Sequence, residues 1–146
     1  MNASSQDLTP EAMLARLERS VTSSGYSSWL AARPLKCWQG EAELEIPVRP
    51  EMTQHHGYVH GSILGAAADN ACAWAAASVA GDVVTSEYKI HLLAPAKGQK
   101  VLARGKVVRA GRRQVVTQAE VFALDGEQET LVAIATATIA TVSKAA

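Results

Sequence analysis

"GSILGAAADNACAWAAASVA", residues 61 to 80, is the stretch whose reading decides the fold. It is rich in alanine, the strongest helix former, contains no proline, and carries a single charge, Asp69. A helix that is apolar almost all the way round must be buried on nearly every side. Its length would also suit a bilayer, but Asp69 near the midpoint costs about 3 kcal/mol on insertion scales, and alanine and glycine return little. The expectation is therefore a long core helix and no membrane span. A buried carboxylate costs several kcal/mol unless something compensates it, so Asp69 needs a reason to be there.

Working outward from the helix, four downstream segments have strand character, at about 83–93, 100–109, 113–123 and 130–142, rich in Val, Thr and Ile. "APAKGQ", "AGRR" and "LDGEQE" separate them with turn chemistry suited to antiparallel hairpins. Upstream, "EAELEIPV" (41–48) alternates apolar residues with glutamates and reads as a first strand. Thr9 and Pro10 offer an N-cap and a first helical position, and Met13, Leu14, Leu17 and Val21 follow at helical spacing, which predicts a helix over 10–22. "TSSGYSSWLAARP" (22–34) reads as a loop. The prediction is an α+β fold, one antiparallel sheet wrapped around a long central helix. Residues 1–39 form an N-terminal helix and loop, and residues 40–146 a single structural unit.

Fourteen basic residues balance fourteen acidic ones among 146, so no charge excess points to nucleic acid or an anionic membrane. Cys37 and Cys72 form no C-x-x-C pair, and "MNASSQDLTPEA" lacks the basic and apolar regions of a signal peptide, which leads to the expectation of a reduced, cytoplasmic protein.

Three histidines, His55, His56 and His60, crowd the approach to the helix. His56 and His60 are four apart, but Gly57 lies between them and precedes the helix start, and no H-E-x-x-H or C-x-x-C accompanies them, so no metal site is expected. Gly61 and Ser62 open the helix, where backbone N–H groups have no intrahelical partner and the macrodipole adds about half a positive charge. Such an end can polarise a carbonyl. Asp69 lies eight residues further on, about 12 Å along the axis. If Gly61 and Asp69 act on one carbonyl they come from two copies of the chain, with their helices side by side and antiparallel. Plainer readings stand beside this one: Gly61 as a tight-turn residue, and Asp69 as a carboxylate capping a backbone group or paired with an arginine.

"GYVHGSILGAAADNA" followed by "SEYKIHLLAPAKGQKVLARGKVVRAGRRQVVTQAEVF" resembles the hotdog-fold acyl-CoA thioesterases of the phenylacetate-degradation type, over roughly residues 40–142. The shared pattern is H-G-G with D eight residues after the first glycine, a strand ending in L-x-P-A and a later G-R-R turn. The resemblance implies a sheet wrapped around the central helix, a homodimer pairing into a homotetramer, an active site between subunits, and an acyl-CoA substrate with no other cofactor. It implies Asp69 as nucleophile or general base and the Gly61 N–H as the group that polarises the thioester carbonyl. It further implies Gln54 as a polar amide near the thioester, Thr85 as a hydroxyl holding the attacking water, and His60 as the residue that shapes the turn. Ser62 departs from the second glycine of the motif, which bears on the entrance and the acyl preference. Arg112 and Arg113 are candidates for the coenzyme A phosphates, a solvated turn being the plainer reading. Trp74 reads as a packing residue and Cys72 as inert.

Two other functions compete. A non-catalytic acyl-CoA-binding module of the same fold would gain nothing from a buried carboxylate aimed at the thioester. A hydratase of this fold needs an Asp and a His about five residues apart, and none of Asp7, Asp69, Asp82 and Asp125 is so followed.

Overall fold

The computed structural model describes residues 8–142. The long helix, α3 (Gly61–Ala80), runs the full length expected and stops at Gly81, whose φ of 80° is the positive region that glycine enters without steric cost. By length and composition α3 could cross a membrane, but 61% of its apolar window is buried inside the fold, so it is the core helix. Ahead of it come α1 (Pro10–Ser23), α2 (Gly25–Leu30), β1 (Arg33–Trp38) and β2 (Glu41–Pro47); after it come β3 (Val83–Leu92), β4 (Lys100–Ala110), β5 (Gln114–Asp125) and β6 (Gln128–Thr141). The strands form one six-stranded antiparallel sheet in the order β1-β2-β4-β5-β6-β3. Its inner face wraps α3, which is the α+β hotdog architecture.

Strand alternation builds the core. Leu44 and Ile46, Val101, Val115 and Val121, and Ile139 are fully buried on the inner face, packed against Ala67, Ala68, Ala71 and Ala75 of α3. The alanines let the sheet approach closely. The tightest approach is at Gly105 of β4, where a Cβ would collide with the Ala71 carbonyl oxygen, a backbone atom that cannot turn aside. Gly105→Ala is therefore expected to destabilise the protein by about 3 kcal/mol, the upper range for an overpacked core. Urea unfolding measures this as a lower midpoint; an unchanged midpoint would show that the helix is free to back away.

Three expectations need correction. Residues 22–34 are not a loop: Ser24 caps α2 by accepting from the Ser27 N–H at 3.4 Å, Leu30 anchors the helix in the core, and β1 begins at Arg33. The proline in "RPLKCW" disguised β1, yet β1 is an edge strand, where a missing N–H is tolerated. The expected boundary at residue 40 falls in the turn between β1 and β2. Finally, "APAKGQ" is not a hairpin, because β3 pairs with β6 at the far edge and the chain crosses over to reach β4 beside β2. The α1 helix is as expected, with Thr9 Oγ1 accepting from the Ala12 N–H at 3.2 Å.

Candidate active site

α3 and β3 run alongside each other in opposite directions, in register. A Cβ on Gly61 would meet Leu92 Cδ1 at 2.9 Å, and one on Gly65 would meet Tyr88 Oη at 3.1 Å. One further step along, Thr85 Oγ1 donates to Asp69 Oδ1 at 2.7 Å. A regular strand would not present Tyr88 and Thr85 to the same side, since they differ by an odd number of residues. The register of β3 against β6 shifts between Thr85 and Glu87, and this bulge turns Thr85 inward to meet the carboxylate.

The wrapping is incomplete along one stripe of α3. Ser62 is exposed, and Ala66, Asp69, Asn70, Ala73 and Ala77 are half-buried, at the three- and four-residue spacings of a single helix face. Asp69 thus stands in the gap in an otherwise closed wall, reachable from outside. The Thr85 hydroxyl, expected from the resemblance to hold a water, is bonded to the carboxylate, orienting it and leaving Oδ2 open. Asn70, which sequence reasoning passed over, has its Nδ2 buried without an acceptor among the described residues. Its signal was available: an amide beside the lone acid of an alanine run.

The helix start forms a second group. His60 is the N-cap: its Nδ1 accepts from the Ser62 N–H at 3.0 Å and lies 2.7 Å from Ser62 Oγ, so the unprotonated nitrogen faces the helix. Ser62, where the motif has glycine, thereby reinforces the cap and its N–H is consumed. The Gly61 N–H has no acceptor among the described residues. Gln54 belongs to this group, in a turn closed by the bridge between Thr53 and Val59, with Oε1 accepting from the His56 N–H at 3.3 Å. His55 and His56 are exposed on that turn, with ring centroids 4.0 Å apart.

One chain therefore carries two clusters, Gly61 with His60 and Gln54, and Asp69 with Thr85, about 12 Å apart along α3. Arg112 and Arg113 sit exposed in the turn between β4 and β5, joined to the end of β6 by the Thr141 N–H donating to Arg113 O at 3.1 Å. A larger cavity, about 580 Å³, lies across the outer face of the sheet. There Lys36 pairs with Glu41 and Arg104 with Glu43, and the sheet separates this cavity from Asp69.

Trp74 is buried in the core, as expected. Burial pushes the Cys72 thiol up to about 11, with Asp69 adding to the effect, and burial pushes Cys37 up to about 11 as well. At pH 8 the thiolate fraction is then about 10² lower than for a free cysteine, so both thiols should react with a disulfide dye far more slowly than free cysteine and titrate fully only after unfolding. Fast labelling of the native protein would contradict their burial.

The model of the Thioesterase superfamily matches residues 56–130 of this chain. A protein of Saccharolobus solfataricus named as a candidate esterase is 35% identical over 101 residues, 68% of this chain and 72% of that protein. Among solved structures, a thioesterase family protein from Silicibacter pomeroyi superposes with a TM-score of 0.83 at 31% identity, covering 90% of this chain and 99% of that one. The E. coli PaaI protein from the phenylacetic acid degradation operon superposes with a TM-score of 0.81 at 21% identity, covering 90% and 94%, a likeness of fold.

Proposed function

Because this chain belongs to the thioesterase superfamily, we propose that it hydrolyses an acyl- or aryl-CoA thioester to the free acid and coenzyme A, at a site shared by two copies of the chain. The observation that carries this reading is the oriented carboxylate of Asp69, held by Thr85 in the one uncovered stripe of a buried helix, while a free N–H stands at the helix start. The spacing of His60, Gly61 and Asp69 and the L-x-P-A strand end support the phenylacetate-degradation type within the superfamily.

Two features support the dimer. β3 is an edge strand of ten residues with Val84 57%, Tyr88 43% and Leu92 57% exposed, a long apolar edge of the kind that pairs with another strand. The second is the uncovered stripe itself: pairing two β3 edges antiparallel about a two-fold axis brings the stripes of two α3 helices together. Dimers of this kind then pair into tetramers.

In the proposed mechanism the thioester carbonyl oxygen accepts from the N–H of Gly61 of the partner subunit, at the positive end of its helix, where the charge that develops on that oxygen is stabilised. Asp69 attacks the carbonyl carbon directly, or takes a proton from water whose oxygen then attacks. The C–S bond breaks and coenzyme A leaves as the thiolate, which takes up a proton; where Asp69 itself attacked, water then opens the acyl–Asp69 anhydride, releasing the acid and restoring the carboxylate. Gln54 of the partner subunit contributes an amide beside the thioester. Arg112 and Arg113 supply cations for the coenzyme A phosphates. This chemistry calls for no metal and no bound cofactor. The free, buried thiols of Cys37 and Cys72 support a reducing, cytoplasmic setting.

The test is a panel of CoA thioesters assayed for thiol release by the purified protein, with and without chelator. At least one ester should be cleaved at equal rate in both conditions; binding without turnover across the panel would instead indicate a sensing module.

A further inference from the structure

The walls that frame Asp69 continue beyond it. Ala73 and Ala77 follow it at one and two helical turns on the uncovered stripe of α3, and Val83 precedes Thr85 by two residues on the same side of β3. These three line a cavity of about 260 Å³. Met13 and Leu17 of α1 face them across it, and Trp74 and Cys37 close its floor. Met13, Arg16, Leu17 and Ser20 come from one face of α1, with apolar members inside and Arg16 paired at the rim to Asp82 at 2.9 Å.

Resting on the proposed hydrolysis, the geometry points to this cavity as the subsite for the far end of the acyl group, and to α1 as the element that sets acyl length. Reach defines the substrate class. Ala73 and Ala77 lie about 6 and 12 Å along the axis from Asp69, and an extended carbon chain advances roughly 1.3 Å per bond. An acyl group of about six to ten carbons spans that distance; an acetyl group stops short of it. The volume agrees, since a cavity of about 150 Å³ holds benzene, and this one takes a ring with its linker or a chain of that length. The end must be uncharged, because Arg16, the cation at the rim, is already neutralised by Asp82 and the interior offers Met13, Leu17 and Trp74. The α3 and β3 walls of this subsite lie inside the segment that matches the superfamily model, whereas the wall that α1 and Cys37 contribute lies outside it.

The test compares kcat/KM for acetyl-, hexanoyl-, octanoyl-, decanoyl- and phenylacetyl-CoA in wild type, Ala77→Phe and Met13→Ala. Filling the cavity with Ala77→Phe should lower the octanoyl-to-acetyl ratio by about 10-fold or more, the scale on which apolar pockets discriminate. Enlarging it with Met13→Ala should move preference the other way, raising the decanoyl-to-hexanoyl ratio several-fold. Opposite shifts are not produced by general destabilisation, and Met13→Ala alone decides the matter if Ala77→Phe fails to fold. Cleavage with unmoved ratios, or a uniform loss across all esters, overturns the subsite alone. A wild-type protein that cleaves no ester overturns both the hydrolase reading and the subsite that rests on it.

Discussion

Replacing Asp69 with alanine is expected to lower kcat on the best CoA thioester by about 10² to 10⁴ while leaving the protein folded, the range for loss of a positioned base or nucleophile. Asp69 is the sole acidic residue of α3, it stands in the stripe the sheet does not cover, and its one side-chain hydrogen bond among the described residues is from the hydroxyl of Thr85. Removing it breaks that hydrogen bond and puts the best helix former into the middle of a helix, so thermal stability should hold or rise. Stability and turnover then move independently, as they do where a group is retained for chemistry at the expense of packing. The measurement is kcat by thiol release alongside a thermal unfolding curve. A folded variant that turns over at the wild-type rate removes Asp69 from the mechanism.

Two inactive variants should restore each other when their chains are mixed. Gly61→Pro deletes the proposed donor N–H, and the position accepts proline. It is the first residue of α3, His60 before it already has the extended φ of −63° and ψ of 139° that a residue preceding proline favours, and the added Cβ meets only the movable end of Leu92. Gly61→Pro and Asp69→Ala should each be inactive alone. In a mixed dimer one site draws an intact Gly61 from one chain and an intact Asp69 from the other, while the second site carries both lesions. Free exchange puts about half of the dimers in the mixed state, each with one working site of two, so about a quarter of wild-type activity should return if the sites are independent. Verified heterodimers that remain inactive would exclude a site shared across the two-fold axis.

The local elements of this protein were legible because they rest on short-range rules. Thr9 and Pro10 mark the start of α1, the alanine run from Gly61 with one charge marks a buried α3, and the alternation in residues 41–47 marks a strand. The distance between Gly61 and Asp69 follows from helical rise alone, which is why a two-chain site could be inferred from the chain itself. The elements that escaped, α2 and β1, are short and carry serines and a proline whose local preferences oppose their state; they form because Leu30, Pro34 and Cys37 find burial in a core assembled from distant segments.

Sequence by itself determined the wrapped helix, the class of fold and the separation of Gly61 from Asp69 along it, since helical and strand periodicities act within a few residues of each other. Tertiary structure alone decided that β3 leaves its neighbour β4 for the far edge beside β6, because strand order is chosen by which pairing closes the sheet around α3. It also decided that Thr85 faces Asp69. By simple alternation from Tyr88 and Leu92, Thr85 points away from α3; a bulge of one residue, set by pairing with β6, reverses it. Packing determines where a strand gains such a residue, and with it which hydroxyl reaches the carboxylate.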